Sequence, residues 1–317
     1  MGSLQPPPKP RFSQFPGGLP KANPQRIELR RFAGHVDHEE HLSHLRIAHL
    51  TDQHFGRVTP HPVQQAAMLL TNENAPDLVV VTGDFVCHSQ AYLDELEEVI
   101  AAFQAPVLCV LGNHDHWSGA SAVRRSLKRA GAEVLDNQHT VLTLRNQRLQ
   151  VVGLDDAYTG HADVEKATKG LRRDLPTIGL SHIAEEADAL WEHGVPLVFS
   201  GHTHAGQVTL ASMHELFLGR IVGHKYVHGL YGCRQRTQAK GAVYVGAGIG
   251  AAVMPLRLGA RGRREVALFE LGASAGAHWE HHSEQRALKG RAPDERTKEK
   301  RRQQLERKKR KHPPLGE

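Results

Sequence analysis

Short apolar runs recur along the chain from Leu45 onward, and each run ends at a polar or glycine-rich loop. Their length is that of buried β-strands, and stretches with helical periodicity separate them. The runs span residues 45–50, 77–83, 105–112, 176–181 and 196–201, and the helical stretches lie near residues 62–73, 90–103, 119–130 and 184–193. Alternation of short strands with helices predicts an α/β core.

The later part of the chain departs from this alternation. Residues 140–154 predict a β-hairpin that turns at Asn146, and residues 241–250 and 264–271 predict strands with no helix between them. Strands joined without a helical crossover pair in an antiparallel manner, so we expect the sheets to be mixed rather than purely parallel.

The pattern divides the chain into three parts. Residues 45–272 are expected to form one domain, residues 1–44 an irregular lead-in and residues 273–317 a basic, disordered tail. Within that tail, residues 286–317 carry thirteen Lys and Arg and five Asp and Glu, a net charge of +8, whereas the whole chain carries +6. The other residues therefore sum to −2, so the basicity belongs to the tail and not to the domain.

The basic tail has too few apolar residues to build a core, so we expect a disordered arm or a solvated helix. Its charge predicts contact with nucleic acid or, peripherally, with an anionic membrane surface, and a tail that only promotes solubility is an equal alternative. No apolar run approaches the ~18 residues of a transmembrane helix, and the first residues lack the apolar region of a signal peptide. We therefore expect a cytoplasmic protein with no transmembrane segment.

The three cysteines, Cys87, Cys109 and Cys233, are scattered and odd in number, and none belongs to a CxxC pair. This usage argues against a disulfide scaffold and against a cysteine-based zinc site. Cys109 lies inside an apolar run, so we expect it in the core.

Almost every predicted strand ends at side chains that can bind a metal. In chain order these are Asp52, His54, Asp84, Asn113, His114, Asp115, His182, His202 and His204. Loops beyond the carboxyl ends of strands are where α/β proteins build their sites. Imidazoles and carboxylates suit divalent transition metals such as Mn, Fe and Zn. So many donors exceed one tetrahedral ion and fit two metals about 3.5–4 Å apart that share a carboxylate.

A second group of histidines lies just before the first predicted strand. These are His35, His38, His41 and His44. A spacing of three drifts around a helix, and no apolar framework accompanies these side chains. We therefore do not expect a metal site there.

The motifs DQH, GD, GNHD, a single histidine and GHTH follow one another in this order between residues 52 and 204. They resemble the motifs of the calcineurin-like metallophosphoesterase family, and the resemblance covers roughly residues 45–271. It implies an α/β fold, a four-layer α/β/β/α sandwich of two mixed β-sheets flanked by helices. It also implies a metal-dependent hydrolase of phosphate esters, in which a hydroxide that bridges two divalent metals attacks the phosphorus.

The resemblance also assigns a role to each residue. Three residues would bind the first metal and three the second: Asp52, His54 and His204, then Asn113, His182 and His202. Asp84 would bridge the two ions and take part in catalysis. His114 would face the phosphate beside Asn113, and it would stabilise the transition state or protonate the leaving oxygen.

The residues around GHTHAGQV and in the late strands are similar to a bacterial branch of the family. This branch includes phosphodiesterases and UDP-diacylglucosamine pyrophosphatases, which favours phosphodiester or pyrophosphate bonds as substrates. The apolar residues 213–223 would contact a lipid or form a buried hairpin. The alternatives are a phosphomonoesterase, a nucleic-acid-binding protein or nuclease that acts through residues 286–317, and a scaffold that has lost the chemistry.

One position departs from the family's pattern. Many relatives read GDxVD after the second strand, and the second Asp there pairs with the histidine of GNHD, whereas this chain reads GDFVC. Cys87 would leave His114 without a carboxylate partner, so we expect lower activity or an optimum at lower pH. Asp155 and Asp156 are candidates to replace that partner, or are surface loop residues. Asp115 is expected to support the ligands from behind.

Overall fold

Two six-stranded sheets lie face to face in the computed structural model, which describes residues 27–206, 223–235, 241–251, 262–277, 279–289 and 295–311. In chain order the strands are β1 (Ile27–Ala33), β2 (Leu45–Leu50), β3 (Leu78–Thr82), β4 (Val107–Val110), β5 (Glu133–Val134), β6 (Gln138–Leu144), β7 (Gln147–Gly153), β8 (Thr177–Leu180), β9 (Leu197–Ser200), β10 (Gly229–Gly232), β11 (Ala242–Val245) and β12 (Arg264–Leu271). The α-helices are α1 (Val36–Glu39), α2 (His61–Glu73), α3 (Leu93–Ala101), α4 (Asn113–Ser118), α5 (Ala120–Arg129), α6 (Val164–Thr168), α7 (Ala187–Glu192) and α8 (Glu295–Lys311).

Both sheets are mixed, as predicted. The first has the order β1-β12-β2-β3-β4-β5, and its strands β2 to β5 run parallel. The second has the order β10-β11-β9-β8-β7-β6, with antiparallel strands at its two edges. Its four middle strands run parallel. Parallel strands end along the same edge of a sheet, so the loops that follow them lie side by side.

The side chains of each strand alternate between two cores. In β3, Leu78 and Val80 face the second sheet, whereas Val79 and Val81 face helices α2, α3 and α5. Helices α6 and α7 pack on the outer face of the second sheet. The layers are therefore helix, sheet, sheet and helix, which confirms the predicted four-layer sandwich. Cys109 is fully buried in the core under α2, α3 and α5, as predicted.

The predicted hairpin is formed by β6 and β7, which pair antiparallel along their whole length. Its two turn residues, Arg145 and Asn146, have φ angles of 45° and 63°. Two successive left-handed residues are what a two-residue hairpin turn requires, because their twist matches that of the strands.

Strand β1 corrects the expectation of an irregular segment before residue 45. It pairs in parallel with β12 from Ile27 to Ala33. Arg30 of β1 is buried, and its Nε atom lies 2.7 Å from Oε2 of Glu265 on β12. In the sequence, an arginine indicates a position at the surface, because buried arginines are rare and need a partner. The pattern of polar and apolar residues therefore did not predict β1 as a buried strand.

Within the described residues, the basic tail contains the helix α8. None of the helices in the described ranges combines the length and apolarity needed to cross a membrane. Residues 207–222, which hold nearly all of the apolar segment at 213–223, lie outside the described residues.

Candidate dinuclear metal centre

The predicted ligands follow the ends of five strands. Asp52 and His54 follow β2, and Asp84 follows β3. The others come after β4, β8 and β9, in the order Asn113, His182, His202 and His204. Since these strands are parallel within each sheet, their loops meet at one end of the sandwich.

Four of these residues form a first group of donors: Asp52, His54, Asp84 and His204. The Nε2 atoms of His54 and His204 are 2.9 Å apart, and Nε2 of His204 lies 3.3 Å from Oδ1 of Asp52. Nε2 of His54 lies 3.6 Å from Oδ2 of Asp84. One donor atom from each residue lies within 4.8 Å of all the others, so this group could hold one metal ion.

A second group consists of Asp84, His182 and His202. Nε2 of His182 lies 3.4 Å from Oδ2 of Asp84 and 3.3 Å from Nδ1 of His202. Asp84 thus belongs to both groups through the same oxygen. Its other oxygen, Oδ1, accepts a hydrogen bond of 2.9 Å from the backbone N–H of His114. The start of α4 therefore fixes the carboxylate that the two groups share.

Asn113 lies at the first position of α4, next to that hydrogen bond. It is 2% exposed, and its Oδ1 atom is buried without a hydrogen-bond partner among the described residues. An unsatisfied buried amide oxygen is costly, and a cation would satisfy it. The residues present therefore fit a pair of divalent ions: imidazoles, carboxylates and one amide oxygen around a shared carboxylate.

The backbone of the ligand loops is strained. Five predicted ligands have left-handed φ angles between 45° and 75°: Asp52, His54, Asp84, His202 and His204. Each such residue costs roughly 1–2 kcal/mol. Strain of this kind persists where the surrounding structure imposes it, and it concentrates at functional sites.

Two glycines let the loops approach each other. A Cβ atom at Gly112 would overlap Oδ1 of Asp84, and one at Gly201 would overlap the Thr51 hydroxyl and lie 2.5 Å from Oδ2 of Asp52. The glycines that precede Asn113 and His202 are therefore required by space, because any side chain there would push the carboxylates away.

Electrostatics in the site centre on Asp84. Burial lowers the pKa of His182, but the Asp84 carboxylate outweighs burial and raises that pKa to about 10. Burial acts against the ionised form of Asp84, yet His182 holds the pKa of Asp84 well below its usual range. Burial raises the pKa of Asp52 to about 6. A metal ion binds neutral imidazole, so it would replace the proton on His182.

His114 points toward the same carboxylate, with its Nε2 atom 4.0 Å from Oδ2 of Asp84. Its Nδ1 atom donates a 2.7 Å hydrogen bond to the backbone carbonyl of Cys87. The ring is thus oriented by a carbonyl oxygen. Asp115 accepts hydrogen bonds from the backbone N–H groups of Phe85 and Gly112.

Asp155 and Asp156 were candidates to replace the carboxylate partner that His114 lacks. That expectation is wrong, because both aspartates bind other residues. Asp155 pairs with His116 at 2.7 Å and with Arg124 at 2.9 Å. Asp156 accepts hydrogen bonds from Thr159. Both aspartates are buried, which also excludes the alternative that they are surface loop residues.

An aromatic rim of His88, Trp117 and Tyr158 borders the site, and the sequence analysis missed it. The Trp117 ring is 4.7 Å from the His114 ring and 5.9 Å from the Tyr158 ring, centre to centre. Tyr158 lies 5.4 Å from the ring of His202. Trp117 is 41% exposed, so it offers an apolar face to solvent beside His114. The spacing of three between His114 and Trp117 was the available signal, because such residues share a helix face.

Within the other histidine group, His38 has a structural role. His38 is fully buried, its Nδ1 accepts from the backbone N–H of His35 at 3.2 Å, and its Nε2 donates to the carbonyl of Thr177 at 3.0 Å. Burial lowers the pKa of His38 to about 4. Both ring nitrogens are occupied by backbone groups, so this ring is not available to a metal.

A family model and several known proteins match this chain. The family model for calcineurin-like phosphoesterases matches residues 45–206. The chain is 32% identical over 238 residues to the uncharacterized metallophosphoesterase YkuE of Bacillus subtilis, covering 71% of this chain and 78% of that protein. It is 29% identical over 241 residues to the phosphodiesterase YaeI of Escherichia coli, covering 74% of this chain and 84% of that protein.

A third relative is the UDP-2,3-diacylglucosamine pyrophosphatase LpxG of Chlamydia trachomatis. It is 29% identical over 218 residues, which is 54% of this chain and 66% of that protein. These matches do not favour the alternative of a nucleic-acid-binding protein. The chain belongs to the calcineurin-like phosphoesterase family, and it is a metal-dependent phosphoric ester hydrolase.

Proposed function

We propose that this protein hydrolyses phosphodiester or pyrophosphate bonds, with two divalent ions at the site described above. Asp52, His54 and His204 would hold the first ion. Asn113, His182 and His202 would hold the second, and Asp84 would bridge them. The observation that carries the proposal is Oδ2 of Asp84, which lies 3.6 Å from His54 and 3.4 Å from His182 and so faces both donor groups.

The choice of bond rests on the relatives and on the open side of the site. YaeI is named a phosphodiesterase and LpxG a UDP-2,3-diacylglucosamine pyrophosphatase. A phosphodiester carries a second substituent on its phosphorus, and this group needs a surface to lie on. The aromatic rim supplies such a surface next to His114. Burial of part of an exposed tryptophan by that substituent would favour diester over monoester substrates.

The chain's own residues bind and orient the reacting group. When bound, two such ions supply a water of lowered pKa and neutralise charge on the phosphoryl oxygens. His114 faces the scissile phosphate, with its Nδ1 held by the Cys87 carbonyl and its Nε2 directed into the site. Protonated at Nε2, it stabilises the charge that develops on the phosphoryl oxygens or gives its proton to the leaving oxygen.

The types of donor atom also limit which metal ions the site would bind. Four imidazoles, two carboxylates and one amide oxygen favour Mn, Fe or Zn, because Mg²⁺ keeps to oxygen ligands and several waters. A cytoplasmic location and contact of residues 286–317 with nucleic acid stay predictions. Nothing in the described residues supports attachment to a membrane surface.

The test is to strip the protein of metal, add Mn²⁺, and measure hydrolysis of bis-p-nitrophenyl phosphate by the wild type, Asp84→Asn and Asp94→Asn. Asp94 is an exposed residue of α3, so Asp94→Asn makes the same chemical change away from the site. We expect Mn²⁺-dependent turnover that Asp94→Asn keeps and Asp84→Asn loses by roughly 10³-fold or more.

Three results would contradict the proposal. Turnover of p-nitrophenyl phosphate without turnover of the diester or of a nucleotide sugar would identify a phosphomonoesterase. Equal rates for Asp84→Asn and Asp94→Asn would exclude a bridging role for Asp84. Failure to retain metal, measured by elemental analysis after gel filtration, would contradict the proposal of a dinuclear metal centre.

A further inference from the structure

A third group of donors lies beside the site, and it is the group that contains a thiol. One donor atom each from His54, Cys87 and His114 lies within 4.8 Å of the other two. All three are shielded from solvent: Cys87 is 7% exposed, and the side chains of His54 and His114 are 0% and 13% exposed. His54 also belongs to the first metal group, whereas Cys87 and His114 belong to neither metal group.

The backbone around Cys87 holds its side chain in place. The N–H of Cys87 donates to the carbonyl of Phe55 at 3.1 Å, and its own carbonyl accepts from Nδ1 of His114. A Cβ atom at Gly56 would lie 3.0 Å from Cβ of Cys87, so the two loops are in close contact. These contacts fix the backbone of Cys87 where its thiol lies within 4.8 Å of a ring nitrogen of each imidazole.

Donor type separates this group from the other two. The first and second groups offer only nitrogen and oxygen, which bind Mn²⁺ and Fe²⁺ as well as Zn²⁺. A thiolate with two imidazoles is a softer set, and it selects Zn²⁺ and similar thiophilic ions over Mn²⁺. Donors in a tetrahedral zinc site are about 3.3–3.7 Å apart, so side-chain movements of about 1 Å would close the group around an ion.

We propose that His54, Cys87 and His114 form a Zn²⁺ site that inhibits the enzyme. Zinc there would engage His114, which faces the phosphate, and would compete for His54 with the first metal. The binding part of this proposal stands on the donor group alone, and the inhibition part rests on the proposed function. Cys87 would thus make the activity sensitive to the zinc-to-manganese ratio.

The binding part is tested with Co²⁺, which takes the place of Zn²⁺ and absorbs light. A thiolate bound to Co²⁺ gives a strong charge-transfer band in the near ultraviolet, and imidazole and carboxylate ligands do not. Metal-free wild type, Cys87→Ser and Cys233→Ser are titrated with Co²⁺. Cys233 is the matched control, a thiol on a surface loop whose Sγ donates to the carbonyl of Gln235.

We expect the band in the wild type and in Cys233→Ser, and its loss in Cys87→Ser. Absence of the band from the wild type, or its persistence in Cys87→Ser, would overturn the site. Cys109 is too deeply buried to give the band, because its thiol lies in the core and points to the carbonyl of Glu133.

The inhibition part is tested on the Mn²⁺-loaded enzymes with bis-p-nitrophenyl phosphate, each rate being divided by that variant's own zinc-free rate. We expect Cys87→Ser to need at least 10-fold more Zn²⁺ for half inhibition than the wild type and Cys233→Ser. Equal sensitivity would show that Zn²⁺ acts by replacing Mn²⁺ and would overturn the proposal. A wild type without any Mn²⁺ activity would contradict the proposed function instead, and the Co²⁺ titration would still decide the site.

Discussion

Two groups of histidines differ in what their rings face. His38 places both ring nitrogens on backbone groups, the N–H of His35 and the carbonyl of Thr177. His182 places only one there: Nδ1 donates to the carbonyl of Thr82 at 2.7 Å, and Nε2 faces Asp84 and His202. Both rings are fully buried, so burial does not distinguish them.

The difference shows how a metal-binding histidine is prepared. A backbone carbonyl on one nitrogen fixes the ring and leaves the other nitrogen for a ligand. His114 follows the same arrangement with the Cys87 carbonyl. A histidine whose two nitrogens are both satisfied by the backbone contributes to folding alone. His41 also has one backbone partner, so the group that the second ring nitrogen faces, and not the number of backbone partners, separates His182 from His38.

The largest expected effect separates the two groups by activity. His182→Ala should lower kcat for bis-p-nitrophenyl phosphate by roughly 10³-fold, because the second ion loses a ligand and with it several kcal/mol of transition-state stabilisation. Elemental analysis should find about one metal per chain instead of two. Two retained metals with normal turnover would make His182 a structural residue like His38, and the comparison would fail.

The matched substitution in the other group should act on stability. His38→Leu removes the hydrogen bonds from the His38 ring to the N–H of His35 and to the carbonyl of Thr177, which should cost about 2–3 kcal/mol of unfolding free energy in urea denaturation. The kcat of the folded fraction at low temperature should stay within a factor of two. A loss of metal from this variant would show that the two groups are not independent.

The third expected effect is a pH dependence. The pKa of His38 is lowered to about 4 by burial, from about 6.5 in the unfolded chain. The unfolded chain therefore takes up the proton first, so this contribution to stability is present above pH 6.5 and is lost as pH falls toward 4. The loss amounts to at most about 3 kcal/mol. Denaturation at several pH values should show a shallower acid decline in His38→Leu than in the wild type, and parallel declines would contradict it.

The smallest effect belongs to an exposed member of the same group. His41 donates from Nδ1 to the carbonyl of Asp37 at 3.1 Å on the surface. His41→Ala should change the unfolding free energy by less than about 0.5 kcal/mol and leave turnover unchanged. A larger loss would mean that the helix α1 depends on this contact, and the division of the group into buried and exposed members would need revision.

The sequence predicts the middle of the fold well, for a physical reason. Strands β2, β3, β4, β8 and β9 are buried on both faces, so they appear as mainly apolar runs. After β2, β3, β4 and β9 a left-handed residue or a glycine turns the chain toward the site, and the ligands stand at those turns. Their order along the chain carried the family resemblance, which the match over residues 45–206 confirms.

Features that depend on contacts distant in sequence were not predictable in this way. Strand β1 pairs with β12, and Arg30 contacts Glu265 although the two residues are far apart in the sequence. Asp155 was one of two candidates for the partner of His114, but the fold places it against His116 and Arg124. Patterns along the chain report burial, and they do not report which polar groups meet.

The position of β12 has a consequence for synthesis of the protein. It is the last strand of the first sheet, yet it lies between β1 and β2 and pairs with both. A nascent chain emerging from the ribosome therefore keeps β1 unattached and leaves one edge of β2 open until residue 271 has been made. Open strand edges are where partly folded chains associate with each other. Aggregation during translation should be most sensitive to truncations that remove residues 264–271.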